Sequence, residues 1–506
     1  MAPSPPKKKR RGKKKKRRRR RRRRGGGEEE GEEAPSHLPF APSSELFDIS
    51  TTVDPSYIIS RIRLLLPRDT KKQEESQESS AKLDLGEERN GGFDDGQSGL
   101  SETIDPWEEC GCVLWDLAAS KTQAEVMVNN LVLEVLLANL HVSKSFRVKE
   151  ICLGIIGNLA CHEVVTNAII SQNGLIETVV EQLFLDDSSC LLETFSRLLA
   201  VALQGSAFAS WAEALLPDQI LLRILWIVGN TMNSTLFEKC IDFLLTVVDN
   251  EEVASMLLQP LMKLGLLDVV VSLLTCEIEK SGGDASLKGA AKYSSKFPVS
   301  DVLNQLLRLI EALSAVDICS QVMSSNEQLL NLVCGIVKLP DKFEAASSCI
   351  SAVMILANLL PDGKHLILGL SKDFHFLQGL FDILLLVSDD SQARNALWCT
   401  LARLLIQIDD NNSSTDLHQF ASIFLEKANL IEEDLESHSV DKLDEDVNSS
   451  AYAKLYGVTT SLSKIAGIME KWITGKASLS GKDVSETHGA VRKAQKFVDY
   501  CRNYGL

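Results

Sequence analysis

The densest group of chemically active side chains in the sequence is a basic run near its start. Of the 18 residues from Lys7 to Arg24, 17 are Lys or Arg, and only Gly12 interrupts them. Such a run stays extended and solvated, and it can neutralise several nucleic-acid phosphates in a salt-dependent manner. No aromatic side chain is interleaved to stack on bases, so sequence-specific recognition is not expected.

The same run is typical of nuclear or nucleolar localisation signals. The residues predicted to form the signal are Lys7, Lys8, Lys9, Arg10, Arg11, Lys13, Lys14, Lys15, Lys16, Arg17 and Arg18. We expect a nuclear protein, with a cytoplasmic one as the alternative. Three other roles stay open: non-specific tethering to RNA or DNA, an incidental low-complexity extension, and folding back onto the chain itself. The last follows from charge, since the rest of the chain holds 37 basic against 69 acidic residues.

Residues with catalytic or metal-binding potential do not form complete motifs. His162-Glu163 starts like a zinc-protease helix, but the second histidine would have to occupy position 166, which is Thr166. Cys110 and Cys112 form the only close cysteine pair, and they lack a zinc-type spacing or a second pair. We therefore expect a non-enzymatic protein without a cofactor, a metal or a small-molecule substrate.

The apolar residues do not predict a membrane protein. No apolar run approaches the roughly 20 uninterrupted residues that span a bilayer, and no hydrophobic segment of a secretory signal follows the basic run. The 12 cysteines are scattered, mostly within apolar helical stretches. This distribution is typical of reduced, buried thiols in an intracellular protein.

From about Ile104 the sequence has the periodicity of helices and an internal repeat. The 11 residues that start at Gly174 align without a gap to those that start at Gly265, 91 positions later, which corresponds to two units of about 45 residues. One long helix is predicted to close each unit. The expected helix ends are Ala160, Leu203, Val248, Ala315, Leu360 and Gln407.

This period, with three helices in each unit, predicts an all-α armadillo/HEAT-like solenoid; an irregular helical bundle is the alternative. We expect a disordered region over 1–104 with a short helix at 57–66 that docks on the body or on a partner, although 57–66 also fits a collapsed disordered segment. The repeats are predicted over 105–410, with an insertion loop at 279–299. Residues 411–506 are predicted to form helices and linkers that cap the solenoid.

Two short blocks resemble a known family. Lys149–Cys161, which reads KEICLGIIGNLAC, is similar to the signature stretch of the serum amyloid A-like protein family, and Val113–Leu117 resembles the Trp-Asp motif that opens the folded part of that family. The resemblance is sharp over about 107–203 and diffuse afterwards, and the basic run is not part of the family pattern. It implies an armadillo-type, non-enzymatic, nuclear protein associated with cell proliferation.

A binding site is predicted on the concave face of the solenoid, which the third helices line. The Trp/Asn ladder of nuclear-import armadillo proteins is mostly missing, since Gly154 and Met354 stand where tryptophans would precede Asn158 and Asn358. Asparagines at these helix ends also fit a purely structural role. The candidate groove residues, which break the apolar pattern, are Glu150, Asn158, Arg197, Asp242, Arg308, Asn358 and Trp398.

The leading functional hypothesis is a nuclear protein-interaction scaffold that holds a peptide or helix of a partner in the groove. The alternative is an RNA-associated regulatory factor that the basic arm tethers to nucleic acid.

Overall fold

The computed structural model describes residues 53–67, 105–282, 300–408, 414–438, 449–478 and 485–505. All regular elements within these ranges are helical. The predicted disordered segments, the localisation residues and most of the predicted insertion loop lie outside the described residues.

The central part of the chain consists of six three-helix repeats. The first two repeats comprise α3 (Lys121–Asn129), α4 (Val132–Val142), α5 (Phe146–Ala160), α6 (Glu163–Ser171), α7 (Leu175–Glu181), α8 (Ser188–Glu193) and α9 (Ala200–Gln204). A 3₁₀ turn, Gln182–Phe184, extends α7, and a π-helical turn, Thr194–Leu199, joins α8 and α9 into one third helix. The next two comprise α10 (Phe208–Leu215), α11 (Asp218–Asn230), α12 (Ser234–Asp249), α13 (Glu251–Lys263), α14 (Leu266–Gly282) and α15 (Asp301–Ser314). The last two comprise α16 (Asp317–Met323), α17 (Glu327–Val337), α18 (Ala346–Leu359), α19 (Lys364–Leu370), α20 (Phe374–Ile383), its 3₁₀ extension Leu384–Leu386, and α21 (Ser391–Ile406).

Helices flank the repeats on both sides. They are α1 (Pro55–Leu64), α2 (Pro106–Ala118), α22 (Ser414–Ser437), α23 (Ser449–Ser478) and α24 (Ser485–Gly505). The third helices pack in series, from α2 on α5 through α12, α15 and α18 to α21, and α23 continues the row against α21. The second helices form a parallel row from α4 to α20, which α22 continues. Each helix therefore meets its counterpart in the next repeat, and this defines an armadillo-like solenoid.

Local sequence signals set the ends of the third helices. The predicted ends agree with the observed ones to within one residue, from Ala160 to Ile406. Five of the six third helices begin with a polar side chain that accepts a hydrogen bond from a backbone N–H of the first turn, and such caps contribute about 1 kcal/mol each. The capping residues are Ser145, Asp187, Asn233, Ser300 and Asp390.

Left-handed residues mark the turn between the first and second helices. Gly174 has φ +77° and Gly265 has φ +102°, and each directly precedes a second helix. The equivalent residue of the first repeat is Leu131, with φ 63°, the only non-glycine with positive φ in the described ranges. A turn that glycine makes without strain is thus made by leucine at a steric cost.

Helix α14 extends past the residue at which the insertion loop was predicted to begin. We expected the loop from residue 279, but α14 continues to Gly282. Its last turn contains an ion pair between Lys280 and Glu277, and Ser300 Oγ donates a hydrogen bond to the Glu277 carboxylate. These contacts extend helical structure into a stretch rich in Gly, Ser and Lys.

The short helix α1 covers the N-terminal end of the solenoid. Ile58, Ile62 and Leu65 are buried, and the Leu65 carbonyl accepts hydrogen bonds from Trp107 Nε1 at 3.3 Å and Asn139 Nδ2 at 2.7 Å. Ten residues form a marginal helix in isolation. Packing against α2 and α3 supplies the stability that the segment lacks on its own.

A tight contact joins α2 to the first repeat. A Cβ atom built on Gly154 would lie 2.1 Å from Cζ2 of Trp115, whose ring covers this glycine. The two blocks that carry the family resemblance therefore pack on each other here. Only a residue without a side chain permits the approach.

We predict that Gly154→Ala lowers the free energy of unfolding by about 1–3 kcal/mol, because the indole must shift out of a packed position. Chemical denaturation followed by circular dichroism measures the change. Gly335→Ala is the matched control, since a Cβ at this helical glycine meets nothing within 4 Å. Equal stability of wild type and Gly154→Ala would contradict the Trp115 packing.

Candidate functional site

The third helices of repeats three to six share a polar stripe. On α15 the exposed and half-buried positions recur every three to four residues, which places them on one helical face, and the other three helices follow the same pattern. We call this surface the third-helix face. Its residues are Glu238, Asp242, Asn304, Arg308, Glu311, Ser351, Met354, Asn358, Asn395, Cys399 and Arg403.

Arg308 is the exposed cation of this face. It lies in the middle of α15, and within the described ranges its guanidinium has no hydrogen-bond or ion-pair partner. The other arginine, Arg403, donates from Nη1 to the Ala357 carbonyl at 2.9 Å and is half-buried. Arg308 thus offers five donors to a ligand, whereas Arg403 ties α21 to α18.

Two predicted acidic residues form local ion pairs on their own helices. Glu150 accepts from Arg147 Nη1 at 2.8 Å, and Asp242 accepts from Lys239 Nζ at 2.9 Å, each three residues away. These hydrogen bonds raise the pKa of Arg147 and of Lys239. Exposed pairs of this type contribute only about 0–1 kcal/mol, so a charged ligand can displace them at little cost.

Both predicted asparagines donate hydrogen bonds to the preceding helix in the row of third helices. Asn158 is buried, and its Nδ2 donates to the Trp115 carbonyl at 2.8 Å. Asn358 is half-buried, and its Nδ2 donates to Ser314 Oγ at 2.9 Å. We expected both side chains to be exposed. For Asn158 this is wrong, because its side-chain amide is buried against α2, where it donates to Trp115.

These contacts belong to a ladder with the period of the repeat. Donor and acceptor lie 43 residues apart for Asn158 and 44 for Asn358. Cys190 Sγ donates to the Phe146 carbonyl 44 residues away, and Ser347 Oγ donates to Asn304 Oδ1 43 residues away. Polar residues that break the apolar pattern thus lock successive repeats in register.

Trp398 was also expected on the exposed face and is instead fully buried. Its Nε1 donates to Asp434 Oδ2 at 3.1 Å, and Arg394 donates to both carboxylate oxygens of Asp434, at 2.8 and 2.7 Å. The tryptophan therefore anchors α22 to α21. Its aromatic surface belongs to the core and is not available to a partner.

The remaining predicted groove residue, Arg197, lies in the π-helical turn Thr194–Leu199. The third helix of the second repeat is thus locally widened at this point, a feature that often occurs at functional sites. Among the predicted groove residues, the structure places Asp242, Arg308 and Asn358 on the third-helix face. Glu150 lies two repeats before that face begins.

The described part of the chain holds no group of three His, Cys, Asp or Glu residues arranged to bind a metal. A polar cleft of about 400 Å³ lies between the α6–α7 turn and α10, lined by Gln172, Asn173, Glu177, Ser210 and Glu213 among others. It contains two carboxylates but no histidine or cysteine. Nothing in its lining forms a nucleophile–base pair.

The cysteines in the described ranges are reduced, and most are buried. Burial raises the pKa of the Cys240 and Cys334 thiols to about 12, which suppresses the reactive thiolate at neutral pH. Cys161 and Cys276 are exposed. Most thiols thus act as small apolar side chains, as the sequence indicated.

No single helix in the described ranges is long and apolar enough to cross a bilayer. The bent pair α3 and α4, with an angle of 74° between its helices, is long and apolar enough to cross a bilayer by length and composition only.

Sequence reasoning missed a cluster on the second-helix side. Trp226 and Asn230 have the four-residue spacing of the Trp/Asn ladder, but Asn230 Nδ2 donates to the Trp226 carbonyl within α11. The Trp226 ring lies against the Arg223 guanidinium, 4.5 Å from its centroid, and is half exposed. An Arg three residues before a Trp on a helix was the available signal.

The helix packing therefore defines the class of this protein, an armadillo-like helical repeat protein. Among solved structures it is similar to an engineered protein at 14% identity and a TM-score of 0.42, over 88% of this chain and 99% of the other. It is also similar to a designed armadillo repeat protein in complex with the peptide (KR)4, at 14% identity and a TM-score of 0.39, over 60% and 99%.

Among curated proteins the chain is similar to Protein SAAL1 of Homo sapiens, 30% identical over 147 residues, which is 29% of this chain and 31% of the relative. It is similar to Protein saal1 of Danio rerio, 32% identical over 155 residues, or 30% and 33% of the two chains. The match thus spans about a third of the length of these relatives. A comparison with known protein families found no match.

We predict that Asp434→Ala lowers the free energy of unfolding by about 3–5 kcal/mol, because it leaves the Arg394 guanidinium buried without its partner. Urea denaturation measures the loss. Asp242→Ala, which breaks the exposed pair with Lys239, is the control and should cost at most about 1 kcal/mol. Similar losses for the two variants would contradict the assignment of Asp434 as a buried anchor.

Proposed function

We propose that this protein is a non-enzymatic nuclear scaffold of the serum amyloid A-like family that binds a segment of a protein partner along the third-helix face. A long solenoid presents such a surface as a continuous strip, and extended peptides or helices bind it through many modest contacts. The relatives named SAAL1 support the family, and the resemblance of Lys149–Cys161 and Val113–Leu117 points the same way. A role in cell proliferation is part of this proposal.

The observation that carries the proposal is Arg308, which has no partner among the described residues and lies at the centre of a half-exposed polar strip. A solvated guanidinium is well suited to bind a carboxylate with two parallel hydrogen bonds. Asp242 and Glu311 lie on the same face, and they suit a basic residue of the partner. The proposed partner is thus a peptide or helix that carries an acidic side chain, with basic side chains beside it.

The basic run from Lys7 to Arg24 supports localisation in the nucleus or the nucleolus. The run precedes α1 in the sequence, and α1 packs on the repeats. The run is thus separate from the repeats in sequence and differs from them in composition. The same charges favour a second candidate function, an RNA-associated factor tethered through the arm. That tether would weaken steeply with salt, since bound phosphates release counterions.

The partner proposal is tested by affinity purification of the full chain from nuclease-treated nuclear extract. We expect Arg308→Glu to lose the protein partners that wild type retains, and deletion of residues 7–24 to keep them. Lys263→Glu, an equal charge change at an exposed position of the first helix α13, is the control. Truncations should retain residues from Val53 onward, because α1 buries part of the core.

Retention of every partner by Arg308→Glu would contradict the third-helix face as the binding site. Loss of all partners on nuclease treatment or arm deletion would favour the RNA-tethered function instead.

Localisation is tested with the full chain fused to a fluorescent protein. We predict that deletion of residues 7–24 moves the protein from the nucleus to the cytoplasm, because it removes the basic residues that import factors recognise. Arg308→Glu should leave the distribution unchanged. A nuclear signal that survives the deletion would show that the arm is not the localisation signal.

A further inference from the structure

We propose that the solenoid has a second docking surface, on its second-helix side, which binds an amphipathic helix with an apolar half and a basic half. The surface consists of Phe184, Leu222 and Trp226 at one end and of Glu177, Glu181 and Asp218 at the other. We call it the second-helix patch. It lies on α7 and α11, in repeats two and three.

The two helices that carry the apolar half of the patch are in contact, and Arg223 bonds one to the other. Arg223 Nε donates to the Leu183 carbonyl at 2.8 Å and Nη2 donates to the Leu185 carbonyl at 3.0 Å, so the guanidinium brackets Phe184. The same guanidinium lies against the Trp226 ring. Leu222 lies one helical turn before Trp226 on the same face of α11.

This half is exposed and yet held in place. Phe184, Leu222 and Trp226 are 49%, 48% and 53% exposed. Arg223 also pairs with Asp186 at 2.9 Å, and its own side chain is largely buried. Arg223 therefore holds the Trp226 ring in place before a partner binds, and the ring loses little conformational entropy on binding. Trp and Arg are the residues most enriched among the dominant contacts of protein interfaces.

The other half of the patch is acidic. Glu177 and Glu181 precede Phe184 by two turns and one turn on the outer face of α7, and Asp218 precedes Leu222 by one turn on α11. All three are exposed, and none has an ion-pair partner within the described ranges. Arg223, already paired, is the only Lys or Arg on these two helices.

A cleft continues the acidic half. Glu177 also lines the cleft of about 400 Å³ that contains Glu213, Gln172 and Ser210. A Lys or Arg side chain of the bound helix can enter this space and meet two carboxylates. Charge complementarity therefore selects the partner. The apolar side chains of the bound helix contact Phe184, Leu222 and Trp226. Its basic side chains lie next to Glu177, Glu181 and Asp218.

Two other occupants fit less well. The basic run of this chain has the charge but no apolar anchor between Lys7 and Arg24. A second copy of the patch would place carboxylates against carboxylates in an isologous pairing, or apolar against acidic halves. A helix whose apolar half is followed by a basic half complements both the apolar and the acidic half of the patch.

The experiment measures fluorescence anisotropy of a labelled synthetic helix bound to the full chain. The peptide is roughly 18 residues long, enough for a helix on binding, with leucines at i, i+3, i+4 and i+7 in one half and lysines in the other. We expect Trp226→Ala and Leu222→Ala each to weaken binding about tenfold or more. Glu177→Gln combined with Glu181→Gln should weaken it and reduce its salt dependence.

The chain offers a matched control. Val322 and Ile318 are 50% and 53% exposed and lie four residues apart on α16, without the Arg-supported tryptophan. Val322→Ala should not change binding. Arg308→Glu should also leave it unchanged, which separates this surface from the third-helix face. Because Trp226 and Leu222 are half exposed, thermal melts of their alanine variants should stay close to wild type.

Four results would overturn the proposal. The first is no binding of the leucine–lysine peptide, and the second is equal binding of a peptide with glutamate in place of lysine. The third is displacement of the labelled peptide by a peptide of residues 7–24, together with tighter binding of the labelled peptide to a chain that lacks residues 7–24. That result would show that the basic arm occupies the patch. The fourth is self-association in sedimentation experiments that Trp226→Ala abolishes, which would assign it to a second copy.

Discussion

The structure depends on the packing of each third helix against the third helix of the next repeat. A three-helix unit has an apolar face that it cannot cover alone, so the core is continuous from Ile58 to Cys501 and is shared between neighbours. Such an arrangement leaves an uncovered face at each end. The helix α1 covers the first end, and α22, α23 and α24 cover the last. The Asp434 carboxylate, which binds Arg394 and Trp398, connects this C-terminal cover to the last repeat.

Stacking also decides which polar residues remain available. The approach of third helices brings amides such as Asn158 and Asn358 within reach of the preceding repeat, and their donors are used there. The same approach requires glycine at position 154, where the Trp115 ring takes the space of a side chain. On the third helices, the polar residues left for a ligand are concentrated in repeats three to six, around Arg308. Some polar residues that the sequence pattern assigns to partner binding are therefore hydrogen-bonded to a neighbouring helix instead.

The two proposed surfaces differ in chemistry as well as in position. The third-helix face is polar and mixed in charge, and Arg308 at its centre has no partner in the described part of the chain. It suits an extended segment held by many weak contacts. The second-helix patch is half apolar and half acidic, and Arg223 fixes its tryptophan in place. A solenoid with binding surfaces on two rows of helices can hold two partners at once, because each row is contributed by different helices of the same repeats.

The sequence by itself determined the helical class, the period of the repeat and the ends of the third helices. Apolar spacing, capping residues and turn glycines are local signals, and they act within a few residues of the structure that they set. It did not determine that Trp398 and Asn158 are buried or that α14 extends to Gly282. Nor did it show that Arg223 supports Trp226 through carbonyls 38 and 40 residues away. Those features depend on which residues meet when the helices pack. Only the tertiary structure decides this, because the same polar residue is exposed or hydrogen-bonded according to what packs beside it.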